Sequence, residues 1–231
     1  IDAAEHMAKH IDLSLMKEPG YGTLRHYWVT PTYAYVRFGH WEKILSAAKP
    51  YQALHYPMGV WHYARGIAFA AKGELEKAQE ELVQLQSIAA DEALKDLTVW
   101  GINNAFDVIS IAQLILQGEL AGKAQNFDEA IDAIQKAATL EDALNYNEPS
   151  DWHYPVRQSL GAVLLSAGKF IEAENAYRQD LEVFPENGWS LYGLSRALSE
   201  QGREAEAELI HKRFEQAWSR ADIELSASRV L

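Results

Sequence analysis

The densest group of chemically capable side chains lies between residues 149 and 158, in the sequence PSDWHYPVRQ. An acid, an indole, an imidazole, a phenol and a guanidinium fall there within seven residues: Asp151, Trp152, His153, Tyr154 and Arg157. Asp151 suits the N-cap of a following helix and Pro155 suits its first turn, so local structure explains these two. It does not explain the crowding of aromatic groups. We predict that Trp152, Tyr154 and Arg157 contact a ligand.

A second cluster, WHYARG, spans Trp61–Gly66 and places Trp61, His62, Tyr63 and Arg65 close together in the chain. Successive residues of an α-helix point about 100° apart, so these side chains cannot all be buried on one face. We therefore expect some of them to face a binding surface.

The recognised catalytic and metal-binding patterns are absent from the sequence. His6 and His10 have a zinc-ligand spacing, but Met7 stands where an HExxH site needs Glu. Neither a GxxxxGK[ST] phosphate loop nor a GxSxG nucleophile elbow occurs. We predict no catalytic residue, metal or cofactor. An active site assembled from several helices stays open as an alternative, because acid–base groups need not be neighbours in sequence.

The composition excludes several classes of partner. With 33 acidic and 21 basic residues, the net charge of −12 argues against nucleic acid and against an anionic membrane surface. There is no cysteine, which excludes disulfides and thiolate metal sites and fits a soluble protein of the cytoplasm or the periplasm. The longest apolar candidate, Val108–Leu116, is shorter than the roughly 18 residues of a membrane span, so we expect no membrane insertion.

Small residues recurring at a fixed interval indicate which elements must position these groups. Gly39 and Gly73 lie 34 residues apart, and so do Gly168 and Gly202. A self-similarity of this period predicts a stacked array of helix–turn–helix units.

The unit that begins at Tyr154 shows the pattern best. It has a small residue at its eighth position, Ala at the twentieth, an aromatic at the twenty-fourth and Pro at the thirty-second: Gly161, Ala173, Tyr177 and Pro185. These residues resemble the tetratricopeptide repeat (TPR) consensus, and the resemblance covers roughly residues 25–215. It implies an all-α fold, a right-handed superhelical solenoid of antiparallel helix pairs. It also implies that the first helix of each pair lines a concave groove.

The repeats predict the organisation of the chain. Units start near residues 25, 59, 111, 154 and 188. The predicted division is: 1–20, the trailing helix of a truncated upstream repeat, helical over Asp2–Lys17; 25–88, two units; 89–110, an inserted or lengthened helix; 111–144, one unit; 145–153, an inserted loop; 154–221, two units; 222–231, a C-terminal cap or tail.

The resemblance places fixed positions of each first helix in the groove. Together with the two clusters, these positions give the predicted ligand-contacting residues: His26, Tyr33, Arg37, His62, Tyr63, Arg65, Trp152, Tyr154, Arg157, Gln158, Trp189, Tyr192 and Arg196.

A groove of Tyr, Trp and Arg suits a partner protein or peptide with an acidic segment or a C-terminal carboxylate, because guanidinium binds carboxylate bidentately. We predict a non-catalytic binding scaffold. One alternative is that the arginines pair with neighbouring acids and hold the stack together. A second is an enzyme or small-molecule receptor with a closed pocket, blocked by the 145–153 loop and lined by Arg37, His62, Arg65, Trp152 and Arg157. A third is self-association through Trp218.

Overall fold

A computed structural model describes residues 1–229 of the chain, and in that range it contains eleven α-helices and one short β-hairpin. The helices are α1 (Asp2–Lys9), α2 (Gly22–Arg37), α3 (Trp41–Ser46), α4 (His55–Ala71), α5 (Leu75–Ala89), α6 (Ala105–Lys123), α7 (Phe127–Ala143), α8 (Val156–Ser166), α9 (Phe170–Val183), α10 (Gly188–Glu200) and α11 (Glu204–Trp218). The hairpin pairs β1 (Thr98–Val99) with β2 (Asn103–Asn104) in antiparallel register.

The helices from α2 to α11 form successive antiparallel pairs, α2 with α3 through to α10 with α11, and neighbouring pairs stack in chain order. This arrangement confirms the predicted all-α fold, a right-handed solenoid of antiparallel helix pairs. The first helices α2, α4, α6, α8 and α10 form one side of the stack. We call their concave surface the trough.

The turn after each first helix explains the 34-residue interval. Gly39, Gly73, Gly168 and Gly202 all have positive φ, between 69° and 78°, where a side chain would be strained. In the third pair, Gln125 takes this conformation instead, with φ 63°. The third pair therefore has no glycine at this turn, and the 34-residue spacing of glycines is not seen there.

The hydrophobic core runs along the stack rather than gathering at one centre, as in other repeat proteins. α6 is its most apolar element, and Val108, Ile111, Ile115 and Leu116 are fully buried in it. Among the described residues, α6 is the one helix that is long and apolar enough to cross a membrane. Its packing against α4, α5 and α7 accounts for that composition.

The N-terminal helix is shorter than predicted, ending at Lys9 rather than Lys17. The side chain of Asp12 accepts hydrogen bonds from the backbone N–H and the hydroxyl of Ser14. These bonds stabilise a turn in competition with helix, and a short 3-10 turn, Leu15–Lys17, follows.

The segment 89–110 also departs from the predicted inserted or lengthened helix. It contains a 3-10 turn, Glu92–Lys95, then the β-hairpin, and α6 begins at Ala105. Trp100 and Gly101, with φ of 56° and 72°, form the tight turn that joins the two strands. Asn104 then caps α6 by accepting the N–H of Asp107 at 2.8 Å.

Candidate binding site

Two segments of the chain lie in the trough. The first, the trough loop (residues 145–155), connects α7 to α8 and includes the inserted loop predicted at 145–153. The second, the return segment (residues 222–229), follows α11 without regular secondary structure. Together they fill much of the concave surface, so the trough is not an open groove.

Polar side chains attach the trough loop to the β-hairpin. Asp151 accepts hydrogen bonds from the amide groups of Asn103 at 2.6 Å and Asn147 at 2.9 Å. Asn103 in turn accepts the N–H of Asn145 at 2.8 Å. Asp151 therefore does not cap α8 as predicted, because the helix starts only at Val156 and Pro155 holds its N-cap position.

The N–H of Val156 donates instead to the carboxyl group of Glu141 at 2.9 Å. Burial raises the pKa of Glu141 to about 8, so this side chain is largely uncharged at neutral pH.

The aromatic residues of the trough loop cover the first helices. Trp152 is 2% exposed and packs edge-on against Tyr33 and Tyr63, with ring centroids 5.9 and 5.3 Å away. His153 stacks on Tyr33 at 4.5 Å, and its Nε2 lies 3.4 Å from the hydroxyl of Tyr63. The crowding seen in the sequence thus fills the middle of the trough.

Between α2 and this loop lies a cavity of about 570 Å³, which we call the α2 cavity. Five of the predicted ligand-contacting residues line it: His26, Tyr33, Arg37, Trp152 and Tyr154. Its mouth includes Tyr27 and three exposed aromatic residues, Phe38, Trp100 and Phe184.

Arg37 is the arginine of this cavity, which the acidic side chains of Glu141 and Asp151 also line. Its guanidinium lies 4.0 Å from the centre of the Trp189 ring and 5.3 Å from that of Tyr154. Within residues 1–229, no carboxylate forms an ion pair with it. Burial lowers the pKa of Arg37 to about 10, so it remains charged at neutral pH.

The two histidines that line the cavity beside Arg37 are uncharged. Burial lowers the pKa of His26, whose Nδ1 lies 2.7 Å from the hydroxyl of Tyr56. The pKa of His153 is lowered well below its usual value by burial and by the nearby positive charge of Arg37. Both imidazoles are therefore neutral near pH 7, and Arg37 supplies the positive charge.

The other predicted arginines of α4 and α8 are paired. Arg65 and His62 both bind the carboxylate of Glu81 on α5, each at 2.6 Å, and so lie away from the trough loop. Arg157 binds Asp142 bidentately at 2.6 and 2.7 Å, beside an adjoining cavity of about 430 Å³ that shares Trp152 and Phe184 with the α2 cavity. Of the five residues expected in a closed pocket, only Arg37 and Trp152 line the α2 cavity. For Arg65 and Arg157, the structure matches the ion-pair alternative.

The remaining predicted residues lie deeper or further along the stack. Tyr63 and Gln158 are fully buried, and Trp189 lies beneath Arg37. Tyr192 and Arg196 line a cavity of about 250 Å³ beside the return segment. Trp218 packs edge-on against Trp189 at 5.6 Å within the chain.

Comparison with known proteins supports the fold of the chain. No protein-family model and no curated protein matches the chain. Among solved structures, it is similar to MamA AMB-1 in crystal form P212121, with TM-score 0.50 and 19% identity over 83% of this chain and 97% of that one. It also resembles MamA MSR-1 in form C2, with TM-score 0.47 and 18% identity over 85% and 98%. The fold is TPR-like.

Within this TPR-like solenoid, sequence reasoning missed several residues that shape the trough. No local sequence pattern marks Phe38, Trp100 and Phe184 as binding residues, because only the tertiary fold brings them to the α2 cavity. Glu119 is marked in the sequence, because it is an acid within the apolar second half of α6. In the structure its side chain is 1% exposed. Burying a carboxylate there requires a partner, which the return segment provides.

Proposed function

We propose that the chain is a non-catalytic protein-binding module that receives an acidic residue or a C-terminal carboxylate of its partner in the α2 cavity. The observation that carries this proposal is Arg37, a partly buried cation without an ion-pair partner in residues 1–229.

The energetics of Arg37 favour an anionic ligand. A charge removed from water is costly unless it is paired, and aromatic rings compensate only part of that cost. Asp180 contributes a favourable field, but it accepts the hydroxyl of Ser190 and forms no ion pair with Arg37. A ligand carboxylate would form charge-assisted hydrogen bonds in a region of low dielectric.

The mouth of the cavity favours a peptide rather than an isolated anion. Phe38, Trp100 and Phe184 are 47%, 43% and 36% exposed and border the same opening. Exposed aromatic residues around a partly desolvated arginine are the typical composition of a binding hot spot. We expect the partner to present an apolar side chain next to its acidic group.

A binding role without catalysis is supported by the hydrogen bonds of the nearby titratable side chains, which are made to other groups of the chain. His26 bonds to Tyr56, Asp151 bonds to two asparagines, and Glu141 accepts a backbone N–H. Each of these contacts positions a helix or a loop.

A second candidate is a receptor for a small carboxylate, favoured by the trough loop, which covers one side of the cavity. Peptide length separates the two functions. N-acetylglutamate amide should bind far more weakly than an acidic decapeptide if the partner is a peptide, and equally well if the ligand is small.

The test uses fluorescein-labelled decapeptides with one central Glu flanked by varied apolar residues, each with a matching Gln peptide. Binding is measured by fluorescence anisotropy. We expect Glu peptides to bind, and Arg37→Gln to weaken them about 10- to 100-fold, since a hydrogen bond to a charged group is worth about 1.5–3 kcal/mol.

Arg213→Gln on α11 is the control, because Arg213 is exposed and its loss changes the net charge equally. The proposal fails if folded Arg37→Gln protein binds the same Glu peptides as tightly as the Arg213→Gln protein does.

A further inference from the structure

The return segment lies on the part of the trough formed by α8 and α10. Its residues 226–229 share a cavity with Ala162, Leu165 and Ser166 of α8 and with Tyr192, Arg196 and Glu200 of α10. In the TPR resemblance, these six residues occupy positions that face the groove. The segment therefore occupies this surface as a bound peptide would, with bends at residues 226–229.

Ser228 is the first anchor of the segment. It is 1% exposed; its hydroxyl donates to the backbone carbonyl of Gln158 at 3.0 Å and lies 2.7 Å from the hydroxyl of Tyr177. Tyr177 belongs to the second helix α9 and contacts Gly161 and Gly193 of the two first helices. The absence of side chains at both glycines gives its hydroxyl access to the trough.

Arg229 is the second anchor. Its guanidinium binds the carboxylate of Glu119 on α6 at 2.5 Å, and the side chains are 15% and 1% exposed. Removing either partner would leave a buried charge uncompensated, which makes this contact selective for a cation of suitable length.

The segment fills the site incompletely. Beside the small residues Ser226 and Ala227 remains a cavity of about 250 Å³, bordered by Tyr192 and by Arg196, which is exposed. An unfilled volume forfeits packing contacts, so a segment with a larger side chain at the position of Ala227 would bind better.

We propose that the α8–α10 half of the trough is a second peptide site, specific for a bent segment in which a hydroxyl residue is followed directly by arginine. Residues 226–229 are its intramolecular occupant and compete with such a segment on another molecule. This site adjoins the α2 cavity, because Arg37 and Tyr154 also line a small pocket beside Glu119 and Arg229. The proposal rests on Ser228, Arg229 and Glu119 and not on the function of Arg37.

The test uses the full chain and a fluorescein-labelled decapeptide of residues 222–231, DIELSASRVL. In the unaltered chain, the tethered segment acts at an effective concentration of the order of millimolar and suppresses binding of the free peptide. The double variant Ser228→Ala, Arg229→Ala should bind the free peptide at least about tenfold more tightly, because the competing segment is weakened.

Two controls define the recognition. A peptide with Gln in place of the arginine, or a chain that also carries Glu119→Gln, should bind about tenfold or more weakly, as expected when a buried charge loses its partner. A peptide with Leu in place of the alanine at position 227 should bind more tightly. The proposal is overturned if the double variant is folded by circular dichroism and shows no gain in affinity.

A second measurement covers the case in which the double variant does not fold. The unaltered chain is mixed with millimolar peptide that carries benzoylphenylalanine at the position of Ala227 and is then irradiated. We expect adducts on α8 or α10, between residues 162 and 166 or between 192 and 200. Adducts confined to other helices, or none, would also overturn the proposal.

Discussion

At the scale of single residues, the trough contains charged groups in different situations. Arg37 remains charged between two aromatic rings, whereas Glu119 is paired with Arg229. Glu141 accepts the N–H that begins α8, and its pKa is raised to about 8 by burial. The last of these groups makes the stability of the fold depend on pH.

The sign of that dependence follows from proton binding. The pKa of Glu141 rises from 4.5 to about 8 on folding, so the folded state binds the proton more tightly. Its contribution is complete below pH 4.5 and is lost as the pH rises through 8. Glu141→Gln keeps an acceptor for Val156 and removes the titration. Between pH 5 and pH 9, the free energy of unfolding of the native chain should therefore fall relative to the variant by a few kcal/mol, at about 1.4 kcal/mol per pKa unit.

Urea unfolding at pH 5, 7 and 9, monitored by circular dichroism, measures this difference. Parallel pH profiles for the two proteins would mean that Glu141 is solvated and ionised in the folded chain.

At the scale of elements, the contact of α8 and α10 with α9 depends on two glycines on either side of one ring. A Cβ atom added at Gly161 or Gly193 would lie 2.3 or 2.2 Å from the ring of Tyr177, which is too close without a shift of the helices. The TPR consensus residues Gly161 and Tyr177 thus serve two purposes. They let the helices pack, and they bring a hydroxyl to Ser228.

Alanine at either glycine should destabilise the fold by about 1–3 kcal/mol, the usual cost of overpacking. Gly122→Ala in α6 is the matched control. Its Cβ would meet Ala130 and Val163 at 3.8 Å, an ordinary contact, so the change should be neutral or stabilising by up to about 1 kcal/mol. Thermal and urea unfolding of the three variants test this order. Equal stabilities would show that Tyr177 can move away at no cost.

At the scale of the whole molecule, the sequence predicted the solenoid because its determinants are local and periodic. Glycines follow four of the five first helices, and small residues recur where the helices of a pair pack together. The third pair lacks this glycine, because Gln125 adopts the turn conformation there. The β-hairpin was missed because its strands are only two residues long and have no alternation to detect.

Local sequence patterns could not predict that the trough loop and the return segment fill the trough. Ser228 meets Gln158 and Arg229 meets Glu119 across 70 and 110 residues of chain. His153 stacks on Tyr33, far away in sequence. The cluster around Trp152 did mark a special segment. Whether it would face a ligand or cover the first helices depended on the path of the trough loop.

The central claim is that the trough is filled by the chain itself, and hydroxyl-radical footprinting with mass spectrometry tests it on the intact protein. Two pairs of like residues serve as internal references: Trp152 with Trp100, which are 2% and 43% exposed, and Tyr63 with Tyr146, which are 0% and 81% exposed. We predict that Trp152 and Tyr63 are oxidised much more slowly than their references. Equal oxidation rates within each pair would mean an open trough and would contradict the account.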